Sequence, residues 1–219
     1  MMREAVAAGA TGLVGGHLVE LLLADPAYSR VTTLVRKPAP ASHPKLSQRV
    51  VDFDRLAATP DFPAAQDVFC CLGTTIKKAG SQDAFYRVDF TYVLELARTA
   101  SRHGARQFLL VTALGADPKS RIFYNRVKGE TEQAVNQVPF DAIQVFRPSL
   151  LLGERAERRA GERAATLLSR VLGFALVGPL RPYRPIAARD VARAMVRVAK
   201  EARAGRHLYP SDRIQALAR

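Results

Sequence analysis

The chain of 219 residues has no tryptophan, three methionines and two cysteines. Because the two cysteines, Cys70 and Cys71, are adjacent within an apolar run, the sequence offers no disulfide framework and indicates reduced thiols in a buried strand. The longest apolar stretch, from Val171 to Leu180, is shorter than the roughly 18 residues that a membrane span needs. The four histidines lack the spacing of metal ligands. We therefore expect no disulfide, no membrane span and no metal site.

Acidic residues are few compared with basic ones: 33 lysines and arginines against 20 aspartates and glutamates give a net charge of +13. Residues 1–146 carry a net charge of +3 and residues 147–219 a net charge of +10. This basic third lacks the interleaved aromatic residues and the helix-turn-helix pattern of nucleic-acid-binding proteins, so we expect no nucleic-acid partner. The cluster from Arg155 to Arg163 has two open interpretations. It meets an anionic substrate or an acidic protein partner, or it is a solvated polar stretch.

Short apolar runs alternate with longer segments of helical period, which is typical of βαβ units and of a parallel sheet covered on both faces. We expect strands at Glu4–Ala8, Val31–Val35, Arg49–Val51, Val68–Leu72, Gln107–Thr112 and Ala142–Phe146. Helices are expected at Leu13–Ala24, Gln82–His103, Ile122–Val138, Ala164–Val177 and, after an N-cap at Asp190, Val191–Ala202. The sequence thus predicts an α/β, doubly wound parallel-sheet Rossmann fold in one domain over residues 1–219. Residues 147–219 would form a small C-terminal substrate-side elaboration.

A glycine pattern joins the first predicted strand to the first predicted helix, with the sequence Gly9-Ala10-Thr11-Gly12-Leu13-Val14-Gly15. Glycines at this spacing let the backbone turn tightly and approach a pyrophosphate. The N-terminus of the helix that follows offers free N–H donors and the positive end of its dipole. The pattern therefore predicts a dinucleotide-binding site over residues 9–15. The alternative is an ordinary turn between a strand and a helix.

The residues after the second predicted strand bear on the choice of cofactor. An NAD-selective site usually has an aspartate or glutamate here, which binds the ribose 2′-hydroxyl. This chain has Arg36 and Lys37 instead. Because two cations pair well with a 2′-phosphate, the sequence predicts that NADP(H) is preferred over NAD(H). The alternative is a solvated strand end.

A second group of residues indicates proton chemistry. Tyr124 and Lys128 are four residues apart and share one face of a predicted helix, so the ammonium lies near the phenol. A nearby cation lowers the pKa of a phenol from about 10 toward neutral pH, which favours proton exchange with an alcohol or a carbonyl. Thr112, at the end of the preceding strand, offers a hydroxyl that could hold the substrate oxygen. These three residues are predicted to be catalytic. The alternative is a surface tyrosine and lysine on an ordinary helix.

Further short segments make the chain similar to a known family. They are Cys70-Cys-Leu-Gly-Thr-Thr75, Arg87-Val-Asp89, Leu114-Gly-Ala-Asp117, Val127-Lys-Gly-Glu130, Phe146-Arg-Pro148, and Leu151-Leu-Gly-Glu-Arg155 through Gly161-Glu162. With the glycine pattern and the Tyr124/Lys128 pair, they resemble the atypical branch of the short-chain dehydrogenase/reductase superfamily. The closest resemblance is to the small Tat-interactive-protein-type oxidoreductases and their bacterial relatives. It covers nearly the whole chain and implies a Rossmann fold with NADP(H) along the C-terminal edge of the sheet.

The resemblance also implies roles for individual residues. The cofactor would contact Thr11, Leu13 and Val14 at the pyrophosphate, Arg36 at the 2′-phosphate, Asp52 and Phe53 at the adenine, Cys71, Leu72, Gly73 and Thr74 on the ribose side, and Lys128 at the nicotinamide ribose. Tyr124 would be the proton donor. The chain departs from the family where the segment at the end of the fifth strand often contains Ser-Ser, because Thr112 is followed here by Ala113 and Leu114. Only Thr112 can therefore supply the hydroxyl.

Two functions are consistent with these features. The first is an NADP(H)-dependent oxidoreductase of the short-chain type, which transfers hydride to or from a small carbonyl or alcohol substrate. The second is a regulatory protein that senses NADP(H) and binds a protein partner without turnover. The chain reaches its glycine pattern within nine residues and shows no apolar signal segment before it, so we expect a cytoplasmic protein. A monomer or a homodimer is expected.

Overall fold

The computed structural model describes residues 2–59, 61–152 and 178–219. Nine strands occur in these residues: β1 Arg3–Ala8, β2 Tyr28–Val35, β3 Leu46–Val50, β4 Asp67–Cys70, β5 Gln107–Val111, β6 Ala142–Arg147, β7 Leu151–Leu152, β8 Ile186–Ala187 and β9 Gly205–Pro210. Seven of them form one sheet in the order β3-β2-β1-β4-β5-β6-β9, and every neighbouring pair is parallel. β7 and β8 pair in a separate two-stranded parallel sheet.

Seven α-helices lie in the same residues: α1 Leu13–Ala24, α2 Ile76–Ala79, α3 Gln82–Tyr86, α4 Tyr92–Arg102, α5 Phe123–Val135, α6 Ala188–Glu201 and α7 Ser211–Leu217. Short 3₁₀ helices cover Phe53–Ala58 and Gly178–Tyr183. A π-helical turn at Arg87–Thr91 joins α3 to α4, and because the residues at both junctions keep helical backbone angles, the three elements form one continuous rod.

The hydrophobic core lies on both faces of the seven-stranded sheet. Successive residues of a strand point to opposite faces. Ala5 and Ala7 of β1 accordingly pack in the buried cluster that includes α1 and α6, whereas Val6 and Ala8 pack in the cluster that includes α4 and α5. Apolar side chains on both faces explain why β1 lacks a polar face. The predicted doubly wound parallel sheet is confirmed.

Several predicted elements differ in detail from the structure. The helix predicted over residues 82–103 contains the π-helical turn, and the strand predicted to reach Leu72 ends at Cys70. The prediction that Asp190 caps a helix is wrong: the N-cap is Ala187, and Asp190 lies in the first turn of α6, where its charge suits the helix dipole. The helix predicted over residues 164–177 lies outside the described residues.

β9 and α7 are among the elements that were not predicted from the sequence, together with α2, β7 and β8. β9 pairs only with β6 and so forms an edge of the sheet, where its residues are half-buried or exposed rather than continuously apolar. A strand of this kind lacks the apolar run by which strands such as β1, β4 and β5 were predicted. Residues 188–217, which belong to the segment predicted as a substrate-side elaboration, thus contribute a strand and a helix layer to the main sheet.

A buried carboxylate anchors the edge of the sheet at which β1, β4 and β5 begin. Asp67, the first residue of β4, is fully buried and accepts hydrogen bonds from Arg3 Nε at 2.7 Å, the Tyr28 hydroxyl at 2.8 Å and Gln107 Nε2 at 2.9 Å. The hydrogen bond to Asp67 raises the pKa of Arg3 even though partial burial opposes it. Burial, reinforced by the Asp67 charge, raises the pKa of Tyr28. One aspartate therefore joins four neighbouring strands.

Replacing this carboxylate tests its contribution to stability. Asp67→Ala leaves the side chains of Arg3 and Tyr28 without this acceptor and leaves Gln107 Nε2 with only the Ala199 carbonyl, so we expect a loss of roughly 3 kcal/mol in the free energy of unfolding. Asp141→Ala is the matched control, because it removes an Asp–Arg pair in which both side chains are largely exposed, and less than about 1 kcal/mol is expected. Urea unfolding at constant m-value measures both changes. Equal losses in the two variants would contradict this assignment.

Candidate active site

The sheet order reverses at β1, and this reversal creates a crevice at the carboxyl ends of the strands. The chain leaves β1 toward β2 on one side, whereas β4 lies on the other side and leads toward β5. α1, which follows β1, packs on one face of the sheet, and α4, which follows β4, packs on the opposite face. Because the two connections diverge, the space between the ends of β1 and β4 stays open to a ligand.

The glycine pattern lies at this crevice and is packed closely against it. Gly9 has a φ of +83°, and a Cβ atom there would lie 2.3 Å from the Cys71 carbonyl oxygen. A Cβ on Gly15 would lie 2.1 Å from the Gly9 carbonyl oxygen, and one on Gly12 would lie 3.1 Å from the same atom. Side chains at positions 9 and 15 would therefore collide with backbone. The glycines allow the end of β1, the start of α1 and the loop after β4 to meet.

The N-terminus of α1 offers a positive end to the crevice. The N-cap is Gly12, which has no side chain to satisfy the first backbone N–H groups, and the first turn contains no acidic residue. The first N–H groups of a helix lack partners within the helix and carry the positive end of its dipole. Together with the exposed Thr11, this end of the helix suits an anionic group such as a pyrophosphate.

Arg36 and Lys37 follow β2 and are both exposed. Across residues 2–59, 61–152 and 178–219, neither side chain forms an ion pair. The two cations are thus available to a ligand at the carboxyl end of β2.

Asp52 and Phe53 follow β3, but both are already engaged. The Asp52 carboxylate accepts a hydrogen bond from the Asp54 backbone N–H at 3.0 Å, and the Phe53 ring is buried against Tyr92.

The loop after β4 forms the other wall of the crevice. The backbone N–H of Cys71, the first residue of this loop, donates a hydrogen bond to the Ala8 carbonyl at 2.9 Å, which continues the pairing of β4 with β1. Both cysteines are free. Burial raises the pKa of Cys70 to about 12 and also raises that of Cys71. Both sulfurs are therefore neutral thiols at physiological pH, which suits a packing role rather than a nucleophilic one.

Lys128 is the central charged residue of the site. It lies on α5, only 6% exposed, and its Nζ atom is 2.7 Å from Asp89 Oδ1 and 6.0 Å from the centroid of the Tyr124 ring. A Cβ on Gly73, in the loop after β4, would lie 3.6 Å from Nζ. Burial lowers the pKa of Lys128, but Asp89 and Tyr124 more than offset this, and the net pKa is raised. The ammonium therefore stays charged at neutral pH, next to Tyr124 and the crevice wall.

Asp89 was not predicted as a site residue. It lies in the π-helical turn between α3 and α4, is about 1% exposed, and its second carboxylate oxygen accepts a hydrogen bond from the Thr74 backbone N–H at 2.9 Å. Its sequence signal was limited to the Arg87-Val-Asp89 segment of the family resemblance. No local signal separates it from Asp83 and Glu95, the other acidic residues of the helix predicted over residues 82–103, because only the packing of that helix buries Asp89.

The structure brings Tyr124 and Lys128 together but holds Thr112 elsewhere. The Thr112 hydroxyl is buried and donates a hydrogen bond to Glu132 Oε1 at 2.6 Å. Glu132 in turn forms a 2.6 Å ion pair with Arg147 at the end of β6. Because Glu132 is eight residues beyond Tyr124 on α5, its backbone lies roughly 12 Å further along the helix. The hydroxyl of Thr112 is therefore directed at the opposite end of α5 from Tyr124.

The Tyr124 phenol is partly exposed, and its ring packs on Phe85 of α3 at 5.5 Å between centroids. The loop that leads into α5 is fixed by another glycine, because a Cβ on Gly129 would lie 2.2 Å from the Pro118 backbone nitrogen. The Asp117 N–H donates to the Asn125 carbonyl at 3.0 Å in the same region. These contacts position Tyr124 at the start of α5, one turn from Lys128.

A Rossmann sheet with a glycine loop at its crossover and a Tyr/Lys pair on α5 defines a dinucleotide-binding protein of the short-chain dehydrogenase/reductase type. Residues 9–162 match a family described as NAD(P)H-binding, and the chain belongs to this family. The match bears out the predicted resemblance and a nicotinamide dinucleotide as ligand.

The chain also resembles individual proteins. It is 41% identical to Protein HTATIP2 of Rattus norvegicus over 158 aligned residues. These residues are 70% of this chain and 65% of the rat protein. It is 30% identical over 225 residues to Protein FMP52, mitochondrial, of Coccidioides immitis, covering 96% and 91% of the two chains. The structure of human epimerase family protein SDR39U1 with NADPH has the same fold, with a TM-score of 0.64, 20% identity and coverage of 94% and 72%.

One prediction requires correction. The expected cytoplasmic location is wrong on this comparison, because the fungal relative is named mitochondrial. The features on which the prediction depended, such as a missing apolar segment before the glycine pattern, do not distinguish these compartments.

In the part of the chain that the structure describes, no helix is both long and apolar enough to cross a membrane, and no cluster of potential metal ligands occurs. The Arg155 to Arg163 segment lies outside that part.

Two neighbouring glycines of α1 provide a test of the glycine loop. Gly15→Ala would place a methyl group 2.1 Å from the Gly9 carbonyl oxygen, so we expect a destabilisation of roughly 1–3 kcal/mol and weaker dinucleotide binding. Gly16→Ala is the control, since its nearest neighbour would be the Ala10 carbonyl at 3.7 Å, an ordinary contact, and alanine favours the helix by up to about 1 kcal/mol. Thermal unfolding and fluorescence titration with NADPH measure the two effects. Similar behaviour of both variants would contradict the close packing.

Proposed function

We propose that the protein is an NADP(H)-dependent oxidoreductase of the short-chain type, which transfers hydride to or from a small carbonyl or alcohol. The observation that carries the proposal is the position of the Lys128 ammonium. It is buried, charged, adjacent to the Tyr124 ring and adjacent to Gly73 in the wall of the dinucleotide crevice. A structural lysine would need only its carboxylate partner. Contact with both the crevice and a partly exposed phenol suits a catalytic pair.

The cofactor would be held by the loops that end β1, β2 and β4. The N-terminus of α1 would bind the pyrophosphate, and Arg36 with Lys37 would pair with a 2′-phosphate. Support for NADP(H) comes from the exposure of these two cations and from their freedom from ion pairs within the described residues. The human protein of similar fold was solved with NADPH. Asp52, Phe53 and residues 71–74 would line the adenine and ribose sides.

The residues of α5 would handle the proton. When bound, the nicotinamide cofactor supplies or accepts the hydride. Tyr124 would donate a proton to the oxygen of a carbonyl substrate, or accept one from an alcohol. Lys128 would bind the nicotinamide ribose and stabilise the phenolate form of Tyr124 through its positive charge. Each of these roles needs Lys128 to remain protonated.

Thr112 has a narrower role in this proposal than the sequence suggests. Its single hydroxyl proton is donated to Glu132, so its oxygen can accept but cannot donate a further hydrogen bond. An alcohol could donate to it, whereas a carbonyl oxygen could not. Substrate orientation by Thr112 therefore stays a prediction that applies to alcohols.

A second candidate function follows from the hydrogen bonding of Thr112 and the residues that follow it. Ala113 and Leu114, which follow Thr112, carry no hydroxyl, so the side chains of this segment offer no free donor to a carbonyl oxygen. A protein that binds NADP(H) without turnover and passes this signal to a protein partner would not need such a donor. The sensor is thus the alternative to the enzyme.

The cofactor preference is tested by Arg36→Ala/Lys37→Ala. Removing two cations that pair with a 2′-phosphate should weaken NADPH binding roughly ten- to a hundredfold and leave NADH binding nearly unchanged. Arg106→Ala is the control, because Arg106 is exposed and precedes β5 at the opposite edge of the sheet. Calorimetric titration with both cofactors measures the ratio. An unchanged ratio in the double variant would show that the preference for NADP(H) is wrong.

Turnover is tested by Tyr124→Phe, which removes the phenolic hydroxyl but keeps the ring against Phe85. We expect a loss of roughly 10²- to 10⁴-fold in turnover of small carbonyls and alcohols, with NADPH affinity maintained. Tyr86→Phe is the matched control on the neighbouring helix α3. Turnover that survives Tyr124→Phe would contradict the proposed proton donor. NADPH binding by the wild-type protein without turnover across a broad panel would favour the sensor.

A further inference from the structure

Asp89 connects three parts of the site that are distant in the sequence. Its Oδ1 atom is 2.7 Å from Lys128 Nζ on α5, and its Oδ2 atom accepts from the Thr74 backbone N–H in the loop after β4. Its backbone carbonyl lies 2.9 Å from the Thr131 hydroxyl, one turn further along α5, which has the Val127 carbonyl as a second acceptor at 2.7 Å. Both carboxylate oxygens and the carbonyl are thus engaged, while the Asp89 side chain is shielded from solvent.

The local backbone explains how one residue makes all three contacts. Asp89 lies within the π-helical turn, where one additional residue in the turn changes the direction of the side chains relative to an α-helix. Gly73 lies beside the ion pair, because a Cβ there would be in contact with both partners, 3.4 Å from Asp89 Oδ1 and 3.6 Å from Lys128 Nζ. The loop after β4 can therefore lie directly over the carboxylate and the ammonium.

We propose that Asp89 is a positioning residue for the reaction: it holds the Lys128 ammonium in its charged form and, through Thr74, fixes the loop after β4 against it. This inference rests on the proposed function of Lys128. Asp89 itself would touch neither substrate nor cofactor, and it would act through the residue that does.

The groups that face Lys128 make Asp89 the source of its compensating charge. They are Asp89 from the π-helical turn, Tyr124 from the same helix and Cys70 from β4. Cys70 is a neutral thiol, since burial raises its pKa to about 12. Glu132, the next acidic residue of α5 on this face, is paired with Arg147. Without Asp89, the buried ammonium would lose its carboxylate partner, and burial alone lowers the pKa of a lysine.

The test is Asp89→Asn, which keeps the size of the side chain and an oxygen that can accept from Thr74 but removes the charge. The chain has seven lysines, so ¹³Cε-labelled lysine gives a short NMR spectrum, and Lys128→Met assigns the signal. In wild type we expect the Lys128 signal to remain that of an ammonium up to about pH 10, whereas in Asp89→Asn it should titrate with a midpoint below about pH 10. Asp83→Asn, which alters an exposed carboxylate of α3, should leave the signal unchanged.

A second readout uses NADPH affinity across the same pH range. Because a neutral Lys128 binds the ribose less well, the decline in affinity at alkaline pH should begin at lower pH in Asp89→Asn than in wild type. A residue with only a structural role would lower affinity equally at every pH. The unfolding transition of each variant verifies that it is folded.

The outcomes separate this inference from the proposed function. A Lys128 signal in Asp89→Asn that stays an ammonium up to about pH 10 would overturn the role of Asp89, whatever the cofactor results are. A lower Lys128 midpoint in Asp89→Asn, together with no NADPH binding by the wild-type protein, would overturn the proposed function but would support the role of Asp89 in keeping Lys128 charged. If Asp89→Asn does not fold, Asp89→Asn/Lys128→Met removes both charges, and recovery of folding supports the pairing. Failure of the double variant to recover would contradict it.

Discussion

The site depends on how closely three backbone segments approach one another where β1 ends. A Cβ of Gly15 would lie only 2.1 Å from the carbonyl oxygen of Gly9, and a Cβ of Gly9 only 2.3 Å from the carbonyl oxygen of Cys71. These contacts bring the start of α1 and the loop after β4 to the same crevice. The positive end of α1 and the loop that covers Lys128 both owe their positions to this approach. Glycine at positions 9 and 15 is thus a steric requirement before it is a feature of cofactor binding.

α5 carries the chemistry of the site and also helps to hold the sheet. Tyr124, Lys128 and Glu132 follow at four-residue intervals along one face of the helix. Lys128 is paired with Asp89 and Glu132 with Arg147, so each buried charge has an opposite charge as its neighbour. Buried pairs of this kind add little net stability but are costly to break on one side only. They explain how α5 can place charged groups against the ends of β4, β5 and β6.

Much of the fold and part of the site could be predicted because they depend on local sequence. Five of the first six strands, all but β3, are buried along most of their length and contain short apolar runs. The glycine pattern and the Tyr124/Lys128 spacing each occur within a few consecutive residues. β9 was missed because an edge strand buries too little apolar surface to show such a run. The partners of Thr112 and Lys128 were missed for a different reason: Glu132 is 20 residues from Thr112, and Asp89 is 39 residues from Lys128. Those contacts are made by the packing of α5 on the sheet, which no local pattern specifies.

The π-helical turn has a consequence for how this rod tolerates changes in length. A π-turn holds about one more residue than an α-turn in nearly the same rotation about the axis, so removing one residue between Arg87 and Thr91 would give an ordinary helix whose flanks keep nearly the same relative orientation. Val93, Leu96 and Ala97 of α4 could then keep their places in the core. The shortened rod would be the more regular helix, yet it would lose the local widening in which Asp89 meets Lys128. In most helices a deletion damages the fold first, whereas here the contact between Asp89 and α5 would be lost first.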